Sequence, residues 1–313
     1  MRKIFTKQNN RGAVLLMAAS LLLPLASCTD TATGEPDTDA RAISFTPAAE
    51  TRAAVDGGSL PDDFLVWGGY NPEFPLFEGE TVHPNGTYDN GLRYWVPGTY
   101  NFYAVYPATI KDKTTFSNGT LTVKNFDCSK TGEDAVDLMT AIPPSIPYEA
   151  GNDPQPVAME FKHELARVKF TVKSENTVAT VSTFKVYGVN YQGTLTKGQT
   201  ATWDPVTSCT EANTPYKLEN FIFNTTYGFE KDMLGDVLLI PGTNLTDAKL
   251  YIAYKYQGDT VDRTSTIDLQ TTAITQWDAG KSYHYTLTIK GGTLTVTVKV
   301  ADWKEEDTSV SWG

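Results

Sequence analysis

Residues 283–300 read YHYTLTIKGGTLTVTVKV. Tyr283, Tyr285, Leu287 and Ile289 alternate with His284, Thr286 and Thr288. Beyond Gly291-Gly292, Leu294, Val296, Val298 and Val300 alternate with Thr295, Thr297 and Lys299. Period-two alternation puts successive side chains on opposite faces of a strand. A glycine pair tolerates the positive φ of a tight turn, so the stretch predicts a β-hairpin. Asp302-Trp303 ends it, and a polar tail runs to Trp312-Gly313.

Working back from the hairpin, the chain carries one short strand signal after another. Val237-Leu238-Leu239-Ile240 is continuously apolar and stops at Pro241-Gly242, the pattern of a strand buried on both faces. Leu250–Tyr254, Thr120–Val123, Tyr100–Tyr106 and Phe64–Trp67 read the same way, separated by turn signals such as Pro84-Asn85-Gly86, Asn90-Gly91 and Asn118-Gly119. Within residues 159–172, Phe161, His163 and Leu165 share one parity and Ala166, Val168, Phe170 and Val172 the other. That switch predicts one long strand with a bulge at Leu165-Ala166. Tyr, Thr, Val and Phe are plentiful and helix-forming runs are scarce, which favours β-structure. Residues 142–156, IPPSIPYEAGNDPQP, are proline-rich and predict a linker. The expected organisation is a segment over 53–155 and another over 156–313.

The N-terminus has a different character. Arg2, Lys3, Lys7 and Arg11 precede an apolar run from Ala13 to Leu25, and Leu25-Ala26-Ser27-Cys28 closes it. A basic start, an apolar core and small residues make an export signal. The run is short for a span needing roughly 20 apolar residues. A cysteine just after the small residues resembles a bacterial lipobox, so residues 1–27 are expected to be removed and Cys28 acylated. An acyl chain contributes about 0.8 kcal/mol per buried CH₂. Removing residues 1–27 takes four basic residues and no acidic ones. The remainder holds 22 Lys+Arg against 37 Asp+Glu, a formal net charge of −15. Such a surface repels phosphate backbones, which argues against nucleic acid as a partner. Residues 29–42 are small, polar and acidic, a flexible tether. Ile43-Ser44-Phe45-Thr46 then reads as a first strand, with Ile43 and Phe45 on one face.

Catalytic and metal-binding signals are weak. His83, His163 and His284 have no ligand spacing to one another, to cysteine or to carboxylates. There is no nucleophile elbow or phosphate loop. Carboxylate pairs such as Asp62-Asp63 fall in expected turns. Neither catalytic residues nor a cofactor is expected, and the enzyme reading is set aside. Cys128 and Cys209 are either a disulfide or two buried thiols. Asn85–Gly91 with Tyr94 and Trp95 is polar and aromatic enough to stack on a sugar, although turn chemistry accounts for the same residues.

Taken in order, several strings resemble the fimbrillin family, lipoprotein precursors of type V pilins. They are the lipobox at Cys28, Ile43-Ser44-Phe45, Thr51-Arg52-Ala53, Asp137-Leu138-Met139, Phe161-Lys162-His163-Glu164-Leu165-Ala166-Arg167-Val168, Leu239-Ile240-Pro241, Gly280-Lys281-Ser282-Tyr283 and Val300-Ala301-Asp302-Trp303. The resemblance implies an all-β chain of two tandem transthyretin-like β-sandwich domains. It implies a cell-surface fimbrial subunit, carried to the outer membrane on its lipid, with other pilus subunits as partners. A trypsin-like, arginine-specific protease would remove the first strand, and a strand from the next subunit would replace it. Arg52-Ala53 is the favoured cut, because cleavage there releases Ile43–Thr46; Arg41-Ala42 is the second choice, leaving that strand attached. The donor candidates are Leu294, Val296, Val298 and Val300, or Val310 and Trp312 in the last residues. The alternative is a monomeric surface lipoprotein or pilus-tip adhesin that grips a host or bacterial glycan or protein.

Overall fold

The structure is a computed structural model, and it describes residues 41–49, 60–70, 75–225, 230–242 and 244–303. Cys28, Arg52, Ala53, Val310 and Trp312 lie outside the described residues.

Twenty strands follow one another among the described residues. The first eight are β1 (Phe45–Ala49), β2 (Phe64–Tyr70), β3 (Phe77–Val82), β4 (Gly98–Tyr106), β5 (Thr114–Ser117), β6 (Thr120–Asp127), β7 (Met139–Ala141) and β8 (Ile146–Tyr148). Then come β9 (Val157–His163), β10 (Ala166–Glu175), β11 (Ala179–Tyr187), β12 (Asn190–Lys197), β13 (Ala201–Ser208) and β14 (Lys217–Thr225). The last are β15 (Glu230–Asp232), β16 (Val237–Leu239), β17 (Lys249–Tyr256), β18 (Arg263–Asp268), β19 (Lys281–Lys290) and β20 (Thr293–Asp302). The protein is all-β, and among the described residues only short 3₁₀ turns stand between the strands.

Four sheets form. A seven-stranded sheet runs β1-β9-β7-β4-β2-β3, with β8 also on β4. A four-stranded sheet, β13-β12-β6-β5, lies against it across a core of Leu65, Val105, Leu121, Val123, Leu195 and Leu238. Strands β2 and β4 are therefore buried on both faces: Phe64, Val66, Phe102 and Ala104 serve a second core on the far side. The other two sheets, β15-β10-β19-β20 with β16 on β10, and β14-β11-β17-β18, enclose the largest core. Phe170, Phe184, Ile252, Trp277 and Tyr285 are fully buried there.

The hairpin forms as expected, with Ile289 opposite Leu294 and the glycine pair at the turn. Val237 and Leu239 face the largest core while Leu238 and Ile240 face the core beside it, so β16 is indeed buried on both sides. Three expectations fail. Residues 159–172 are not one bulged strand: β9 belongs to the seven-stranded sheet and β10 to the next, and the chain passes between them at Glu164-Leu165. The parity switch is a change of sheet. The proline-rich stretch is not a linker, because Ile146–Tyr148 pairs with β4. The division at 155/156 does not follow the sheets either, since β9 completes the first sheet and β12 pairs with β6. Proline-rich sequence marks lost ladder donors, and here it contributes a short strand to β4 instead of running between units. Cys128 and Cys209 are buried free thiols, and burial pushes the Cys128 thiol far up.

Candidate functional site

The first strand closes a seam. Although β1 and β3 are the two ends of the seven-stranded sheet, their side chains touch: the Phe45 and Phe77 rings meet edge-on at 5.2 Å. Phe45 also meets Phe102 at 5.6 Å and Tyr88 at 6.2 Å. The sheet thus curls until its ends face each other across one core. Along the strand, Ile43, Phe45 and Pro47 point inward and Thr46 outward, the alternation expected of Ile43–Thr46.

Two walls hold this segment. On one side β1 runs parallel to β9, Phe45 opposite Val157 and Ala49 opposite Phe161, and Val157 N donates to Ser44 O at 2.8 Å. On the other side lies the loop of residues 83–97. Ile43 N donates to Arg93 O at 2.7 Å, Trp95 N to Arg41 O at 3.2 Å and Phe45 N to Gly86 O at 3.3 Å. The Tyr88 hydroxyl donates to Ile43 O at 2.8 Å and accepts from Arg93 N at 3.2 Å. Gly86 sits at φ +84°, and a Cβ there would lie 1.7 Å from Phe45 O, so the close approach requires glycine.

Arg93 fixes the loop. Its guanidinium pairs with Glu80 at 2.7 Å and donates to Leu76 O at 2.9 Å. It lies 4.7 Å over the Phe77 ring and 5.0 Å over that of Tyr88. Glu80 is buried and takes a second bond from Asn90 Nδ2 at 2.6 Å. Where the loop begins, His83 pairs with Asp63 at 3.0 Å and Asp89 at 3.3 Å. Hydrogen bonds to Asp63 first, and then to Asp89, raise its pKa. Asn85 Oδ1 accepts from Thr87 N and Oγ1, an Asx turn. Tyr88 and Trp95 are buried, so they offer no sugar platform; turn and core packing account for this loop. Leu92, Tyr94 and Val96 point outward.

Of the two expected processing points, Arg41 is exposed and Ala42 bridges Tyr94, immediately before the buried Ile43. Arg52 follows the end of β1, outside the described residues. Among the donor candidates, Leu294, Val296 and Val298 lean on the largest core from β20, and Val300 is exposed. They pair with β19 of their own sheet, and β20 forms its end.

Four of the strings that carried the resemblance, those with Asp137, Phe161–Val168, Gly280 and Trp303, meet between the two pairs of sheets. His163 Nδ1 lies 2.5 Å from Asp137 Oδ2, and the His163 ring stacks on Trp303 at 3.9 Å and 10°. Arg167 lies 5.9 Å over the same indole and pairs with Asp236 at 3.0 Å. The buried Glu164 carboxylate accepts from Thr140 Oγ1 at 2.5 Å and Lys197 Nζ at 2.6 Å. Gly280 N donates to Leu165 O and Trp303 N to Gly280 O, both at 2.9 Å. These residues fasten structure together. Sequence reasoning placed His163 within a strand but not against Trp303, because the contact joins positions far apart in the chain. His284 meets Thr171 Oγ1 at 2.7 Å, and burial lowers its pKa. Among the described residues, no cluster of His, Cys, Asp and Glu has the arrangement of a metal site.

A curled all-β sheet sealed by its own first strand, joined through Trp303 to a second pair of sheets, defines the class of structure. The fimbrillin-like family model matches residues 71–303, and the chain belongs to that family. No curated protein matches significantly. A candidate cell adhesion protein from Bacteroides uniformis is similar at 20% identity and TM-score 0.55, over 84% of this chain and 99% of that one. One from Bacteroides ovatus has 16% identity and TM-score 0.57, over 85% and 99%. A fimbrial protein from Bacteroides vulgatus has 18% identity and TM-score 0.52, over 84% and 99%. At these identities the likeness extends to the fold.

Proposed function

We propose that the protein is a fimbrial subunit that assembles by exchanging its first strand. It is exported as a lipoprotein, acylated at Cys28 and held at the outer membrane. A trypsin-like protease cuts at Arg52-Ala53, β1 departs, and a strand from a neighbouring subunit enters the seam. The donor comes from Leu294–Val300 or from the tail with Val310 and Trp312. One observation carries the reading: β1 fills a slot whose walls, β9 and residues 83–97, belong wholly to the rest of the molecule.

Vacating the slot uncovers the places of Ile43, Phe45 and Pro47 and leaves one side of β9 unpaired. Burying one large apolar side chain contributes about 1.5–3 kcal/mol, and an open strand edge pairs with what it meets. A donor of alternating apolar residues satisfies both demands at once, through ladder bonds and side-chain pockets. Such head-to-tail contacts do not close on themselves and so build filaments.

The test is controlled clipping of the mature protein. Cleavage at Arg52 is expected to give SDS-resistant ladders, Arg52→Ala to abolish them, and Arg41→Ala to leave them intact. A clipped protein that stays monomeric would overturn strand exchange and favour a monomeric or tip-located adhesin.

A further inference from the structure

Two adjoining cavities of about 390 Å³ each share Asn101 and Tyr103 of β4. They lie where the β5–β6 turn and the β12–β13 turn come up against the seven-stranded sheet. None of the described residues lining either cavity is charged, in a chain whose residues are 20% charged. The contrast with other hollows is clear. One of those is lined by Asp62, Asp63 and Asp137, another by Glu78, Glu80, Arg93 and Lys111.

The lining offers a defined chemistry. Tyr103 and Phe116 are half-buried with ring centroids 4.7 Å apart, tilted by 43°, and form an aromatic ledge. Around it stand three amides, Asn101, Asn118 and Gln199, and the hydroxyl of Ser145. Ser145 Oγ donates to Asn101 Oδ1 at 2.5 Å, which orients that amide. Asn118 and Gly119, at φ +49° and +73°, form the two-residue turn between β5 and β6. A Cβ on Gly119 would come within 3.0 Å of the Tyr103 hydroxyl, so glycine keeps the phenol clear. Side-chain amides both donate and accept. An aromatic face with a few placed polar groups is the make-up of a small-molecule site. Among the described lining residues no charge is placed to hold an ionic ligand, and the acidic protein repels anionic polymers.

We infer that these cavities form a binding site for a neutral glycan: the apolar face of a hexose rests on Tyr103 and Phe116, and its hydroxyls bond to Asn101, Asn118 and Gln199. Tyr103 leans on the core on the opposite side of β4 from Phe102, which lines one cavity and meets Phe45 of the seam. The proposed contacts to Tyr103, Asn101, Asn118 and Gln199 do not depend on strand exchange.

The experiment is a saturation-transfer NMR titration of the full chain, clipped and unclipped. The probes are short oligosaccharides of mannose, glucose, galactose and N-acetylglucosamine, with sialylated and sulfated oligosaccharides as charged controls. At least one neutral probe is expected to bind saturably and more tightly than any charged one, equally in both forms. Asn118→Gly, which retains the turn, and Gln199→Ala are expected to weaken it about threefold each, and Tyr103→Ala about tenfold or more. Saturable binding by none of the neutral probes, tighter binding by a charged control, or unchanged affinity in both Asn118→Gly and Gln199→Ala would overturn the site.

Discussion

The Phe45 ring is the largest apolar group that β1 contributes, and three other rings surround it. Phe45→Ala is expected to cost about 3–5 kcal/mol in urea denaturation, the range for emptying a buried aromatic site. Phe45→Leu should cost much less. Arg93 is the second critical residue, because removing it strands the buried Glu80 carboxylate. Arg93→Ala should destabilise by about 3 kcal/mol, as when one partner of a buried pair is deleted. His83 gives the same loop a pH dependence. Its pKa is raised above the ordinary 6.5 by Asp63 and Asp89. Stability gained from the protonated ring is therefore fully present below 6.5 and fades as pH climbs through the raised folded-state value. The difference in urea midpoint between wild type and His83→Gln should be largest in mild acid and shrink toward alkaline pH. A difference that grows with pH would contradict the assignment.

At the scale of elements, alternation was enough to read the hairpin β19–β20 and the inward face of Ile43 and Phe45, and an unbroken apolar run was enough to read the doubly buried β16. Those patterns depend only on neighbours in the chain. What escaped was non-local. The phase switch at Leu165-Ala166 fits a bulge as well as a change of sheet, and only the partners β1 and β19 decide between them. Parallel pairing of β1 with β9 leaves no mark on either sequence, and neither does the stacking of His163 on Trp303. The loop 83–97 was legible as turns, but its role as a wall depends on Gly86 meeting Phe45 across 41 positions of sequence. Gly86→Ala tests that wall. The positive φ and the clash with Phe45 O should together cost at least about 2 kcal/mol, read as a lowered thermal midpoint. Gly91→Ala also bears a positive φ but meets nothing within 4 Å, and should cost less.

At the scale of the whole molecule, the proposed strand exchange requires β1 to be a removable closure on a framework that is otherwise complete. Residues 157–161 of β9 report on this directly, because among the described residues their ladder partner is β1, while β7 pairs only with Lys162 and His163. Hydrogen exchange at the amides of Val157, Met159 and Phe161, the alternate residues whose N–H groups face β1, followed in intact, Arg52-clipped and assembled protein, is therefore the decisive measurement. Protection before the cut, its loss in the clipped monomer and its return on assembly is the predicted sequence. Amides that stay equally protected after β1 has been cut away and separated, or that exchange freely in the assembled form, would contradict it.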